Sequence, residues 1–99
     1  MPVSNIQRWH NSIQEILSLL EGPKLENPER ISEIFRQSLQ WEVAWNSDHF
    51  RLANSMWDQF MRGLRDRDES ILRYRTEYIA EIRQLLLHIL DPSHPLTMD

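Results

Sequence analysis

The stretch ESILRYRTEYIAEIRQLLLHIL, residues 69–90, has the clearest structural pattern in the chain. Its apolar residues recur mostly three and four positions apart, at Ile71, Leu72, Tyr78, Ile79, Ile82, Leu85, Leu86, Ile89 and Leu90. Because an α-helix makes one turn every ~3.6 residues, this spacing places them along one side of a helix. The sequence therefore predicts an amphipathic helix over residues 69–90.

The second half of this segment, residues 85–90, is apolar on almost every side. A helix with one side in water does not require Leu87 in addition to Leu86. The surplus apolar surface around Leu87 therefore predicts a second contact, either with another copy of the chain or with a partner protein.

Three further helices are predicted upstream, over residues 5–21, 28–45 and 48–64. Ser4 or Asn5 can cap the first, and Asn27-Pro28 is a typical helix start. The apolar spacing continues through residues 46–48, so an unbroken helix from Pro28 to Leu64 is the alternative. Such a helix would be roughly 55 Å long and would nearly require a dimer. We expect a break near Asn46 instead.

These segments predict an all-α fold, an up-and-down bundle of three to four helices that forms a dimer. The 99 residues suffice for one domain, with residues 91–99 as a tail after the last helix. With only two glycines, the composition argues against a turn-rich β fold and against a glycine-rich phosphate loop.

The remaining composition excludes several classes of function. No cysteine is present, which removes thiolate metal sites and disulfides. The net charge of −4 makes nucleic acid an unlikely partner. No apolar run approaches the length of a membrane span, and no signal-peptide core is recognisable. The sequence thus predicts a cytoplasmic protein that binds no membrane and no cofactor.

The aromatic residues are the first candidates for a functional surface. Trp41 and Trp45 are one helical turn apart, and Trp57 and Phe60 repeat a similar spacing. Tryptophan is enriched at the energetic centres of interfaces, but large aromatics also fill bundle cores. Both interpretations stay open for the predicted interaction residues: Trp41, Trp45, Trp57, Phe60, Leu86, Leu87 and Leu90.

A polar strip beside these tryptophans is a weak candidate for a metal site. Glu42, Asn46 and His49 are spaced so that one helix would place them on one face. Di-iron bundles use Glu-x-x-His pairs on two helices, and this chain contains no such pair. A solvated edge is the simpler interpretation, so no metal is predicted.

Arg83 and His88 resemble the Arg-x4-6-His motif of HEPN-type ribonucleases. The resemblance implies an all-α dimer in which Arg83 holds a phosphate and His88 acts as general acid or base. It covers only these two residues, and Gln84 is an imperfect match to the polar residue that often follows the arginine. Residues five apart diverge around a helix, so an ion-paired arginine and a solvated histidine is the alternative.

One stretch is clearly basic: residues 62–75 contain five arginines and three acids. It could contact an acidic partner or a phosphate backbone, but the interleaved acids favour salt bridges within the stretch. In sum, the sequence predicts a non-enzymatic protein–protein interaction module, such as an adaptor, assembly factor, chaperone or regulator. A dimeric HEPN-like ribonuclease and a metal-binding helical bundle are the alternatives.

Overall fold

The computed structural model describes residues 4–22, 25 and 27–93. Within these residues the chain is all-helical, with 80% in helices and no strand. The helices are α1 (Asn5–Leu20), α2 (Pro28–Ser38), α3 (Glu42–Trp45), α4 (Asp48–Arg65), α5 (Glu69–Arg73) and α6 (Arg75–Leu90). The all-α prediction is confirmed, and the predicted tail after residue 93 lies outside the described residues.

Short polar side chains start four of these helices. Ser4, Asn27, Ser47 and Asp68 each accept a hydrogen bond from a backbone N–H two or three residues further along. These bonds satisfy N–H groups that have no partner within the helix. The predicted caps Ser4 and Asn27 are therefore confirmed, and so is the break near Asn46, because α4 starts afresh after the Ser47 cap.

The prediction of one helix over residues 28–45 is wrong. Helix α2 ends at Ser38, and Trp41 has an extended backbone with φ −89° and ψ 133° before the single turn of α3. The apolar spacing explains this break. Leu39 and Trp41 are only two positions apart, so a continuous helix would place them on opposite sides. The turn lets α3 bury Ala44 against the rest of the molecule.

The prediction of one helix over residues 69–90 also needs correction. Tyr74, with φ −104° and ψ 25°, separates the short α5 from α6. Between Leu72 and Tyr78 the one aromatic or aliphatic side chain is Tyr74, which is exposed, so packing holds none of these residues against the core. The chain therefore changes direction there, so that Ile71 packs against the end of α4 while α6 runs back along that helix.

The core is a single cluster that draws on all six helices. Its buried apolar residues are Trp9, Ile13, Ile16, Leu20, Ile31, Ile34, Phe35, Ala44, Phe50, Ala53, Trp57, Phe60, Ile71, Ile82, Leu85 and Leu86. Phe50 contacts two aromatic rings, with centroids 5.5 Å from Trp9 and 5.2 Å from Phe35. The cluster thus joins α1, α2 and α4 through aromatic contacts.

Ring contacts also give the direction of the helices. His49 faces His88 and Phe60 faces Tyr78, so α4 and α6, the most extensively packed pair, run antiparallel. Helix α2 also runs antiparallel to α4, because Phe35 contacts Phe50 and Ser32 contacts Trp57.

A two-pronged ion pair joins α1 to α2 at the surface. The Arg30 guanidinium donates to both carboxylate oxygens of Glu15, with the shorter N–O distance 2.9 Å, and also to Glu33. The hydrogen bonds that Arg30 donates to Glu15, with the charges of both carboxylates, raise the pKa of Arg30 above its ordinary value. Both partners are largely solvated, so the pair orients the two helices more than it stabilises them.

The end of α4 is a tight turn built around Gly63. The Asp68 N–H donates to the Gly63 carbonyl at 2.8 Å, and the Arg67 N–H donates to the Leu64 carbonyl at 3.4 Å. This is the Schellman pattern of helix termination, with Arg67 in the left-handed conformation at φ 55°. A Cβ at residue 63 would lie 2.3–2.7 Å from Ile71 side-chain atoms, so only glycine permits this approach.

We expect Gly63→Ala to lower the free energy of unfolding by about 1–3 kcal/mol, because the new methyl group overlaps Ile71 and outweighs alanine's better helix propensity. Urea unfolding followed by circular dichroism measures the change. Ser55→Ala, on an exposed position of the same helix, is the control. The double variant Gly63→Ala/Ile71→Ala should lose less than the sum of the single changes; a simple sum would contradict the overlap.

We expect Arg67→Gly to raise the free energy of unfolding by about 0.5–1 kcal/mol, because glycine adopts the left-handed conformation without the penalty that a Cβ brings. Arg67→Ala keeps the Cβ and removes the charge, so it should leave stability nearly unchanged. The same urea titration compares the three proteins. Equal stabilisation by glycine and alanine would assign the effect to the lost charge instead.

Candidate interaction surfaces

The structure divides the seven predicted interaction residues between core and surface. Trp57, Phe60 and Leu86 are at most 1% exposed and belong to the core of this chain. The half-buried members are Trp41, Leu87 and Leu90, and Trp45 is exposed. Of the two interpretations left open, packing within the chain accounts for the first three residues, and the other four remain accessible to a partner.

Trp57 is a buried tryptophan whose polar atom is satisfied. Its Nε1–H donates to Ser32 Oγ at 2.8 Å, and its ring lies 5.6 Å from that of Phe60. A buried indole N–H without a partner is unfavourable, so Ser32 supplies what this position requires. Trp57 therefore joins α4 to α2 through Ser32, and Phe60 packs beside it on the same helix.

Trp45 lies at the end of α3 and is 56% exposed, the most of any large hydrophobic residue described. The Arg51 guanidinium lies 5.8 Å from the centroid of the Trp45 ring, and Arg51 also forms an ion pair with Asp48. This cation–π contact restricts the indole on one side and leaves much of its surface in water. Trp45 thus contributes a restrained aromatic surface that the core does not use.

Two other exposed apolar residues lie at the same end of the molecule as Trp45. Ile6 is in the first turn of α1 and Leu52 in the second turn of α4, and the contact between Trp9 and Phe50 brings these two helix starts together. Helix α3 contacts both α1 and α4. We call Ile6, Trp45 and Leu52 the α3-end surface.

A second candidate surface follows α6. Leu87 lines an open cleft of about 260 Å³ with Ala80, Arg83 and Gln84. A neighbouring cleft, also about 260 Å³, reaches the C-terminal end of α1 and is lined by Leu20, Gly22, Arg75, Thr76, Ile79, Ala80 and Arg83. Both clefts share Ala80 and Arg83, so they adjoin along α6, and we call the two together the α6 groove.

Three of the ten arginines form ion pairs within the described chain, and the two arginines of the α6 groove are not among them. Arg30, Arg51 and Arg62 each have a carboxylate within 4.0 Å. Among the residues that the structure describes, neither Arg75 nor Arg83 forms such an ion pair. The groove therefore combines apolar walls with two positive charges that no described acid neutralises.

The predicted polar strip does not form one face. Glu42 belongs to α3 and His49 to α4, and Asn46 lies between the two helices, so the spacing of a single helix does not apply. His49 instead packs against His88, with ring centroids 4.8 Å apart. In the described part of the chain, no three His, Cys, Asp or Glu side chains are grouped to hold a metal ion.

Arg83 and His88 point to different sides of α6. Arg83 lines the α6 groove, whereas His88 contacts His49 on the side facing α4. One chain therefore does not bring the two residues of the ribonuclease motif to a common site. The arrangement follows from their spacing, since five residues amount to a rotation of about 140° around a helix.

Sequence reasoning missed the α6 groove, although it singled out Leu87 and Arg83 separately. In the sequence, Arg75 belongs only to the basic stretch 62–75, and Thr76 and Ala80 belong to no predicted site. The signal that could have revealed them is the helical spacing from Arg75 through Ile79 to Arg83, which places a basic and apolar edge beside Leu87. That edge becomes a groove only because α1 ends next to it.

We expect Trp57→Ala to lower the free energy of unfolding by about 3–5 kcal/mol, since it empties a core position. Trp45→Ala should cost less than about 1 kcal/mol, because this side chain contributes mainly an exposed ring and a cation–π contact. Urea unfolding monitored by far-ultraviolet circular dichroism compares the two. Similar losses for both variants would mean that Trp45 is part of the core.

No helix among the described residues combines the length and the apolar character needed to cross a membrane. Comparison with known proteins finds no match to this chain among protein-family models, curated proteins or solved structures.

Proposed function

We propose that this protein is a non-enzymatic protein–protein interaction module that binds through apolar helix surfaces. Trp45 is the observation that supports this proposal most directly. An exposed indole that the core does not need is unusual in a chain that buries Trp9 and Trp57. Tryptophan contributes strongly to binding because it buries a large area with little loss of side-chain freedom.

The surroundings of Trp45 favour binding further. Arg51 restrains the ring before any partner arrives, so less conformational freedom is lost on association. Ile6 and Leu52 are exposed apolar side chains at the same end of the molecule, and the ion pair of Arg51 with Asp48 lies beside the indole. An apolar centre with a polar rim is the usual composition of a protein interface.

We further infer that α1, α2, α4 and α6 form an up-and-down bundle, since α1 contacts α2 and α6, and α4 contacts the same two helices. This arrangement leaves Leu87 half-buried on the outer side of α6, where a partner protein can contact it. We also propose a homodimer in the cytoplasm, formed through the α3-end surface.

The proposal predicts that self-association depends on Trp45. Light scattering over a dilution series should give a mass above that of one chain for the wild type. Trp45→Ala should raise the dissociation constant at least about tenfold, because it removes the central apolar contact. Leu72→Ala, on the exposed side of α5 at the opposite end, is the matched control and should change it less than about twofold.

A photo-crosslinking amino acid at position 45 tests whether the α3-end surface binds a different protein. In the producing cells it should yield an adduct of discrete mass, whereas the same group at position 72 should not. A protein that remains monomeric at every concentration and gives no adduct at position 45 would refute the interaction module.

A further inference from the structure

The α6 groove has the length and the walls of a site for an extended ligand. From Arg75 to Leu87 it follows α6 for about 18 Å, which is more than three helical turns. Leu20 of α1 forms one wall, and Ile79, Ala80 and Leu87 form the apolar floor along α6. The small side chain of Ala80 lies where the two clefts meet and allows a close approach to the helix.

The two positive charges of the groove limit which kinds of ligand can bind there. Arg75 and Arg83 are eight residues apart, which separates their Cα atoms by about 12 Å along the helix axis. Neither arginine has an acidic partner among the described residues. A single carboxylate is much smaller than this spacing, so a ligand that uses both arginines needs two negative groups held well apart.

An amphipathic helix of a partner protein fits these requirements. Acidic residues seven positions apart are separated by about 10.5 Å along a helix, close to the spacing of the two arginines. Apolar residues three and four positions after the first acid lie on the same side and would contact Ile79 and Ala80. The apolar floor disfavours a nucleic acid here, because a phosphate backbone is bound by positive charges and not by apolar side chains.

We propose that the α6 groove binds an acidic amphipathic helix of a partner protein, with Arg75 and Arg83 each receiving one of its carboxylates. This inference rests on the proposed function and adds the chemistry of the partner. Apolar contacts along Ile79, Ala80 and Leu87 supply most of the binding, and the two arginines select an acidic ligand and its register.

A synthetic helical peptide provides the test. The probe carries two glutamates seven residues apart and leucines three and four residues after the first glutamate, and the control peptide has both glutamates replaced by glutamine. Fluorescence anisotropy of the labelled peptides, titrated with the full chain, gives both dissociation constants. The wild type should bind the acidic peptide at least about tenfold more tightly than the control, and added salt should reduce this preference.

Two matched double variants distinguish an effect of the groove arginines from an effect of the overall charge of the chain. Arg75→Gln/Arg83→Gln should weaken binding of the acidic peptide about tenfold and leave the control peptide unaffected. Arg8→Gln/Arg36→Gln removes the same charge from exposed positions outside the groove and should change binding less than about twofold. Far-ultraviolet circular dichroism confirms that each variant is folded.

Three results would overturn the inference: no binding of the acidic peptide, equal binding of both peptides, or equal effects of the two double variants. Self-association that the Arg75/Arg83 variant abolishes would identify a second copy as the occupant and would also overturn it. In each of these cases an adduct at position 45 would leave the interaction module itself intact, so the two proposals fail separately.

Discussion

Helix α4 presents one row of buried residues, spaced three and four apart, to most of the molecule. Phe50 at its start contacts rings of α1 and α2, Trp57 is held by Ser32 of α2, and Phe60 faces Tyr78 of α6. Gly63, the last buried residue of this helix, contacts α5. Because each of these contacts positions a different helix, the other helices depend on the straight course of α4 from Asp48 to Arg65.

The turn after α4 sets how α6 lies on it. With no side chain at Gly63, Ile71 packs directly against the helix, and the kink at Tyr74 then lets α6 return antiparallel. This path buries Ile82, Leu85 and Leu86 and turns Leu87 outward. The surplus of apolar residues in α6 is thus divided between the core and an open groove.

The two candidate surfaces arise from different physical causes. At the α3-end surface a tryptophan remains outside because the one-turn helix α3 packs Val43 and Ala44 against the core and leaves Trp45 on its exposed side. In the α6 groove, charge and shape combine, since the end of α1 and the side of α6 line a cleft with two arginines that form no ion pair within the described chain. Neither surface contains an assembled set of catalytic groups, and both have the apolar character that supports a binding function.

The sequence alone determined the features that depend on neighbours along the chain. Helical spacing, short polar caps and the break at Ser47 are local, so the helical class and most helix ends could be predicted from residues a few positions apart. The two additional breaks, at residues 39–41 and at Tyr74, were missed because they depend on how each helix packs.

Tertiary structure alone decided which apolar residues became core and which became surface. Trp45 and Trp57 are both tryptophans in segments with helical apolar spacing, yet Trp45 is exposed and Trp57 is buried against α2. The contact of His49 with His88, and the presence of Arg75 and Arg83 in one groove, could not be predicted from the sequence either. The physical reason is that helical periodicity specifies the apolar side of each helix, whereas exposure depends on which other helix covers that side.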